Sequence, residues 1–405
     1  MKMLRTALLV GSIAALAAAQ DRAFVNARII DGTGKAAIQK GTLLVRNGKV
    51  AAVGASVKVP DGAQAIDLAG KTIIPGLINA HGHVNELDNL GRYARFGVTS
   101  VFSLGGDREV SFRDQTRTQQ QTPGLTRARL YICGPIPTPR SADEARKAVD
   151  ALAESKVDWV KIRVDDNLGA GAAMSPEVYT AVIDQAHKKG LRVAVHIVKL
   201  EHAKGVLKAG ADYIAHSVRD ADIDSEFIAL MKKNNAPYSP TLLREVSTFV
   251  YADKPAFLSD PFLLKDANQP EIARAQEPQF MQSNRSQSAA WYKEHLPVAM
   301  RNLKKAYDAG IPIVMGTDTG PAQRFQGYFE HLELEYMVNS GLTPMQSIVA
   351  STGTVARALK ATDIGTLEPG KWADFIVLGA NPLDDIKNTR KIESVWISGT
   401  TVPGK

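Results

Sequence analysis

The chain has 405 residues, 44% hydrophobic and 22% charged, with a formal net charge of +7. That apolar share excludes a disordered chain, and 32 Gly and 20 Pro without a strict period exclude collagen-like and coiled-coil classes. A single cysteine, Cys133, excludes an intrachain disulfide framework, and the absence of any run of five or more like charges leaves a nucleic-acid partner without support.

The first residues read as a processing segment. Lys2 and Arg5 precede the uncharged run Thr6 to Ala19, which ends in Ala17-Ala18-Ala19 before the polar Gln20-Asp21. This is the charged, apolar and small-residue order of a secretory signal, with residues 1–19 removed after Ala19. The run is short for a membrane span and no other stretch approaches the length one needs, so the mature chain is expected to be periplasmic or secreted and without a membrane span.

Residues 20–70 read as β-structure. Phe24 to Ile30 is apolar-rich, and Thr42 to Val45 and Lys49 to Val53 flank Asn47-Gly48, a two-residue hairpin signal. From residue 71 to 362 short β-rich runs alternate with helical patterns: Thr72–Ala80, Val98–Leu104, Arg129–Cys133, Trp159–Val164, Arg192–Val195, Asp212–Ala215, Pro237–Leu242 and Ile311–Met315. This alternation fits an α/β chain folded as a (β/α)8 TIM barrel, with a doubly wound open sheet as the alternative. Residues 363–405 return to β-structure, so the two chain ends are expected to pair into one small β-sandwich domain. The Gln- and Ser-rich stretch at about 243–300 interrupts the alternation as an insertion on the C-terminal side of the seventh strand, read either as surface decoration or as a lid.

Polar residues that carry chemistry fall at strand ends. His81 and His83 close the run Ile73 to Ala80; residues two apart share a strand face, so both imidazoles can meet one metal. His196 ends Leu191 to Val195, His216 ends Asp212 to Ala215, and Asp318 follows Ile313 to Met315. Each histidine alone is as compatible with a bonded core residue, and Asp318 alone with a helix cap. Lys161 is a charge inside the apolar strand Trp159-Val160-Lys161-Ile162; the alternative is a lysine that snorkels to solvent. Four imidazoles and a carboxylate suit Zn²⁺ or another borderline divalent ion. A lysine carboxylated by CO2 becomes an anionic carbamate able to bridge two cations, and two such cations can acidify a hydroxide for attack on a carbonyl.

Together, Pro75-Gly76-Leu77-Ile78-Asn79-Ala80-His81-Gly82-His83, Lys161, His196, His216, Gly316-Thr317-Asp318 and Gly365 to Asp374 resemble the amidohydrolase superfamily in its binuclear, carboxylated-lysine type. Gly341-Leu342-Thr343-Pro344 and Ser351-Thr352-Gly353-Thr354 are similar to its Xaa-Pro dipeptidase-like branch, which includes aryl urea and carbamate hydrolases. The resemblance implies His81 and His83 on one metal, His196 and His216 on the second, Lys161 bridging as a carbamate, and Asp318 as ligand and proton acceptor. It implies two divalent ions, Zn as the expected identity, a small-molecule substrate and hydrolysis of an amide-type bond. Tyr238 resembles a tyrosine that polarises the substrate carbonyl. Arg244 is a candidate partner for a substrate carboxylate, with a solvent-facing charge as the alternative, and His331, in a helix after the eighth strand, is a candidate substrate contact, with helix packing as the alternative.

The aromatics of 243–300 suggest a hydrophobic dipeptide, an Xaa-Pro dipeptide or an N-acyl amino acid. An aryl carbamate, urea or lactone is the alternative, and a non-catalytic interaction protein is disfavoured by the full ligand set. A homo-oligomer is compatible with this reading. If residues 1–19 are a signal, intact mass of the protein from its native host should start at Gln20; a mature form retaining Met1 would contradict export.

Overall fold

The computed structural model describes residues 21–404; the expected signal segment, 1–19, lies outside the described residues. Among the described residues no helix is long and apolar enough to cross a membrane. Five strands come first: β1 (Arg22–Ile29), β2 (Ile38–Arg46), β3 (Lys49–Gly54), β4 (Gln64–Asp67) and β5 (Thr72–Pro75). Seven follow with helices between them: β6 (Leu77–Gly82), β7 (Val98–Ser103), β8 (Arg129–Ile132), β9 (Val160–Arg163), β10 (Val193–His196), β11 (Tyr213–Ala215) and β12 (Tyr238–Ser239). The last three are β13 (Phe375–Leu378), β14 (Ile392–Ile397) and β15 (Thr400–Thr401).

The chain ends share one sheet, ordered β15-β14-β13-β5-β1-β2-β3, with β4 paired to β1. Asn47 and Gly48 turn β2 into β3 with φ of 49° and 76°, the positive pair that a type I′ hairpin requires. One face of this sheet buries Phe24, Leu43, Ile73 and Phe375, with Phe24 edge-on to Phe375 at 4.9 Å and to Trp396 at 4.8 Å.

The body is a (β/α)8 barrel. Strands β6-β7-β8 and β9-β10-β11-β12 run parallel in two sheets. Residues 311–319 take the eighth position: Val314 N donates to Tyr238 O (3.1 Å) on one side, and Ala80 N donates to Met315 O (2.8 Å) on the other. Between β8 and β9, Asp158 N donates to Ile132 O at 2.9 Å. Side chains alternate as parallel strands demand. Val160, Ile162, Val193, Val195 and Ile214 point out into the helix layer, whereas Ala194, Tyr213 and Ala215 fill the barrel interior with Ile78, Ala80, Phe102 and Cys133. Inward parity thus falls on Lys161 and His196, whose Cα atoms lie in adjacent strands.

The structure departs from the sequence expectation in three places. Thr72–Ala80 is not one strand: it breaks at Gly76, so β5 joins the terminal sheet and β6 the barrel. Glycine is required there by close approach, since a Cβ would stand 2.2 Å from the Thr99 side chain. The expected insertion 243–300 ends earlier. Gln287–Asp308 is one long helix whose Ala299, Leu303 and Ala306 are buried in the main core, and its Asn302 amide holds Val218 O (2.9 Å) and Ala221 O (2.8 Å) of the loop after β11. Most aromatics of the insertion join one apolar cluster at its base, whereas Trp291 stacks on His295 of the long helix at 4.0 Å. Tyr251, Phe257, Phe262 and Phe280 pack with Phe96, Phe325, Tyr328 and Phe329. The insertion therefore has its own apolar anchor, and that is where most of its aromatic content goes.

A buried ion pair joins the two sheets. The Arg129 guanidinium on β8 meets Asp374 just before β13 and donates to Ser398 Oγ at 2.7 Å, while Asp374 accepts Ser398 N at 2.8 Å. Gly76→Ala, by forcing Thr99 aside at the junction of the sheets, should cost about 1–3 kcal/mol. Urea unfolding measures it; a loss under about 0.5 kcal/mol, the range of an uneventful surface change, would show that the junction has room.

Candidate metal centre

At the C-terminal end of the barrel, His81, His83, Lys161, His196, His216 and Asp318 come together. The His81 and His216 rings lie 4.5 Å apart, His196 and His216 4.2 Å, and His81 and His83 5.8 Å. Ligand atoms of His81, His216 and Asp318 all lie within 4.8 Å of one another. Simple alternation does not bring His81 inside, because Ala80 already faces inward. The register of β6 against β7 slips between Asn79 and Gly82, and this irregularity re-aims the histidine. His216 (φ 73°) and Asp318 (φ 57°) leave their strands through left-handed backbone, as does Thr241 (φ 48°). Such conformations cost on the order of 1–3 kcal/mol each and collect at functional sites. Gly316 lets the eighth segment press on the site, since a Cβ there would meet Ser239 Oγ at 2.4 Å and His81 Cβ at 2.7 Å.

Three imidazoles have one nitrogen fixed and the other left for a ligand. His83 Nδ1 donates to Gly105 O at 2.9 Å, leaving Nε2 toward Asp318 Oδ1 at 2.8 Å. His196 Nε2 is 3.1 Å from Asp165 Oδ2, which leaves Nδ1. His216 Nδ1 is 2.7 Å from Thr241 Oγ1, which leaves Nε2. Partners of this kind set tautomer and ring orientation in metal sites. His81 Nε2 is 3.4 Å from Asp318 Oδ1, and among the described residues its Nδ1 is buried without a partner. Lys161 Nζ is likewise buried with no hydrogen bond among them.

Electrostatics follow from burial. Desolvation, reinforced by the Lys161 charge, holds His81 well below the usual imidazole range; it takes His196 down to about 3 and lowers His216 strongly. His83 is also desolvated, but its bond to Asp318 raises it overall. Burial pulls Lys161 down to about 8. Burial pushes against the Asp318 charge, yet Arg324 and His83 hold this carboxyl well below its ordinary value. Arg324 donates from Nη1 to Asp318 Oδ2 at 2.5 Å and from Nε to Ser247 Oγ at 3.0 Å, tying the base of the insertion to Asp318.

Below the site, Glu330 Oε1 accepts Asn79 Nδ2 (2.5 Å), Thr317 Oγ1 (2.9 Å) and Thr319 Oγ1 (2.8 Å), bracing both sides of Asp318. Beside it lies a cluster of like charge. Glu245 pairs with Arg219 at 3.0 Å and with Arg244 at 3.0 Å, and both guanidiniums lie over the Tyr292 ring, at 5.2 and 4.6 Å. One carboxylate serves two cations, Arg219 buried and Arg244 partly exposed, and among the described residues Arg219 Nε and Nη2 have no hydrogen-bond partner. Arg244 faces the centre: its charge opposes protonation of His196 and His216, and Asp318 stabilises it.

Two expected contacts lie elsewhere. Tyr238 is on the outward side of β12, with Phe227 edge-on at 6.0 Å and its hydroxyl accepting Val218 N at 2.8 Å; strand parity sends Ser239, not Tyr238, inward. His331 is a buried helix residue whose Nε2 donates to Phe96 O (2.8 Å) and whose Nδ1 meets Thr389 Oγ1 (3.0 Å). Asp165, Thr241, Arg219, Arg324 and Glu330 were not singled out in the sequence. Asp165 alone carried a signal, as a carboxylate just past the lysine-bearing strand; Glu330 is brought in by the helix Tyr328–Asn339 and the others by loops.

The amidohydrolase family description matches residues 72–402. The chain belongs to that family, and so to the enzymes that hydrolyse carbon–nitrogen bonds. It is 22% identical to an imidazolonepropionase of Streptomyces griseus over 92% of this chain and 95% of that one. It is 27% identical to ochratoxinase of Aspergillus niger over 67% of this chain, which spans about half, 52%, of that enzyme. A solved structure provisionally called a prolidase, from Bifidobacterium longum, superposes with a TM-score of 0.76 at 26% identity, covering 95% of both chains.

His331 gives a pH test of these placements. Burial lowers its ring to about 3 from the ordinary 6.5, so the neutral form is the folded one. The stability this neutrality confers is complete above 6.5 and is lost as pH falls from there toward 3. His331→Gln should therefore narrow the difference in urea-unfolding free energy between pH 7 and pH 4.5. An unchanged difference would contradict a neutral buried ring.

Proposed function

We propose that the chain is an exported, zinc-dependent hydrolase of amide bonds with a binuclear centre. The observation that carries this reading is Lys161 Nζ, a buried amine without a hydrogen bond among the described residues, set among four imidazoles and a carboxylate. An unpaired buried amine is costly. Lowered to about 8, it has an accessible neutral form, the form that adds CO2. His81, His83 and Asp318 would hold one Zn²⁺, His196 and His216 the other, with carboxylated Lys161 between them. When bound, the pair supplies an acidified water and a Lewis acid for the substrate carbonyl.

The protein groups do the rest. Asp318 accepts the proton of the attacking water and delivers it to the leaving nitrogen, while Arg324 holds its Oδ2. Glu330, through Thr317 and Thr319, keeps Asp318 at the mouth. Tyr238 has no part in this scheme. Arg244, with Arg219 behind it on the shared Glu245, meets a carboxylate on the substrate. Two guanidiniums on one shared carboxylate favour a dipeptide, Xaa-Pro included, or an N-acyl amino acid. The apolar preference expected from the insertion loses its support, because those aromatics anchor the insertion. Hydrolysis of a neutral aryl carbamate or urea, or of a lactone, by the same centre is the second reading.

A screen of the Zn²⁺-loaded enzyme with bicarbonate separates the two. Dipeptides and N-acyl amino acids should be cleaved far better than their neutral amides or aryl carbamates, and Arg244→Met should raise KM for the acids by roughly 10–100-fold, the worth of a charge-assisted bond. Better turnover of neutral carbamates, indifferent to Arg244→Met, would favour the second reading. Asp318→Asn should cost roughly 10²–10⁴ in kcat. Lys161→Ala should lose most activity and regain part of it with acetate or formate; full activity without them would remove the lysine from the centre.

A further inference from the structure

Glu109 is fully buried at the start of the helix Glu109–Thr116, and among the described residues no ion pair neutralises it. Both of its oxygens are used only as acceptors. Oε1 takes Ser103 Oγ at 2.5 Å and Gly105 N at 3.2 Å; Oε2 takes Cys133 N at 3.1 Å and Gly134 N at 2.8 Å. The carboxylate thus gathers the ends of β7 and β8. Two of its partners lead directly to one histidine. Gly105, whose N–H it holds, offers its carbonyl to His83 Nδ1 at 2.9 Å. Ser103, whose hydroxyl it holds, accepts Val84 N, next in sequence to His83, at 3.0 Å.

We propose that Glu109 is a positioning residue for His83: it fixes the ring through Gly105 and the backbone through Ser103. This rests on the reading of His83 as a metal ligand. Glu109 would then act on metal affinity without touching the metal or the substrate. Partners that orient a ligating histidine typically account for roughly 10–100-fold in affinity.

The test is Zn²⁺ affinity of the holoenzyme by competition with a chromophoric chelator. It compares the wild type, Glu109→Gln, Ser103→Ala, His83→Gln and the double variant Glu109→Gln/His83→Gln, with thermal unfolding of each. The wild type should hold two equivalents. Glu109→Gln should weaken one of them by roughly 10–100-fold, and Ser103→Ala should weaken the same one by less. Once His83 is already replaced, Glu109→Gln should add little further loss, because the two act as a unit. Unchanged affinity in Glu109→Gln with a lowered unfolding temperature, or a loss that adds in full to that of His83→Gln, would make Glu109 only a staple between strand ends. If Glu109→Gln does not fold, Ser103→Ala decides, and wild-type affinity there overturns the proposal. A wild type that binds no Zn²⁺ is a different failure: it removes the metal centre itself, and this inference with it.

Discussion

The barrel converges polar donors on a largely buried volume at its mouth, and much of the molecule follows from that constraint. Among the described residues Lys161 Nζ and His81 Nδ1 are buried without partners, and burial holds His81, His196 and His216 in their neutral forms. Neutral imidazoles beside an amine that burial brings down to about 8 are costly company, but with their protons off they are the state in which nitrogen lone pairs are open to a cation. The surrounding hydrogen bonds are arranged to keep them so. Gly105 O, Asp165 and Thr241 each occupy one nitrogen of a histidine and leave the other exposed to the centre. Left-handed backbone at His216, Thr241 and Asp318 is the strain by which strand ends are bent into this arrangement.

Around this centre the chain divides its work. The terminal sheet and the barrel are locked by the buried Arg129–Asp374 pair, far from the donors. The insertion holds itself to the barrel by its aromatics and reaches the site through Ser247 and Arg324. The chemistry common to the amidohydrolase family lies in the strand ends, whereas the features that would select a substrate, Arg244, Arg219, Glu245 and Tyr292, lie in the loops after β11 and β12 and on the long helix. Relatives with this fold can therefore differ in substrate while sharing a centre.

The parts legible in the sequence were those set by local rules. Strand and helix alternation, the Asn47-Gly48 hairpin and the fall of histidines at apolar strand ends are short-range patterns, and the barrel follows from them. Parity failed where the backbone departs from regularity. His81 faces inward because of a slip in β6, not because His-x-His shares a face. Tyr238 resembles a carbonyl-polarising tyrosine, but its neighbour Ser239 takes the inward side. His331, a candidate substrate contact or a packed helix residue by sequence, is the packed helix residue. Glu109, Arg324 and Glu330 had no signal, since each acts across 4 to 251 positions of sequence through contacts that only the fold creates.

The central claim is that Lys161 belongs to a two-metal centre rather than to the strand alone. A crystal structure of zinc-loaded enzyme grown with bicarbonate, with anomalous scattering recorded on both sides of the zinc edge, tests it most directly. The account expects two zinc peaks, one beside His81, His83 and Asp318 and one beside His196 and His216, with density for a carboxylated Lys161 between them. A single peak, with Lys161 ending in an unmodified amine, would contradict it.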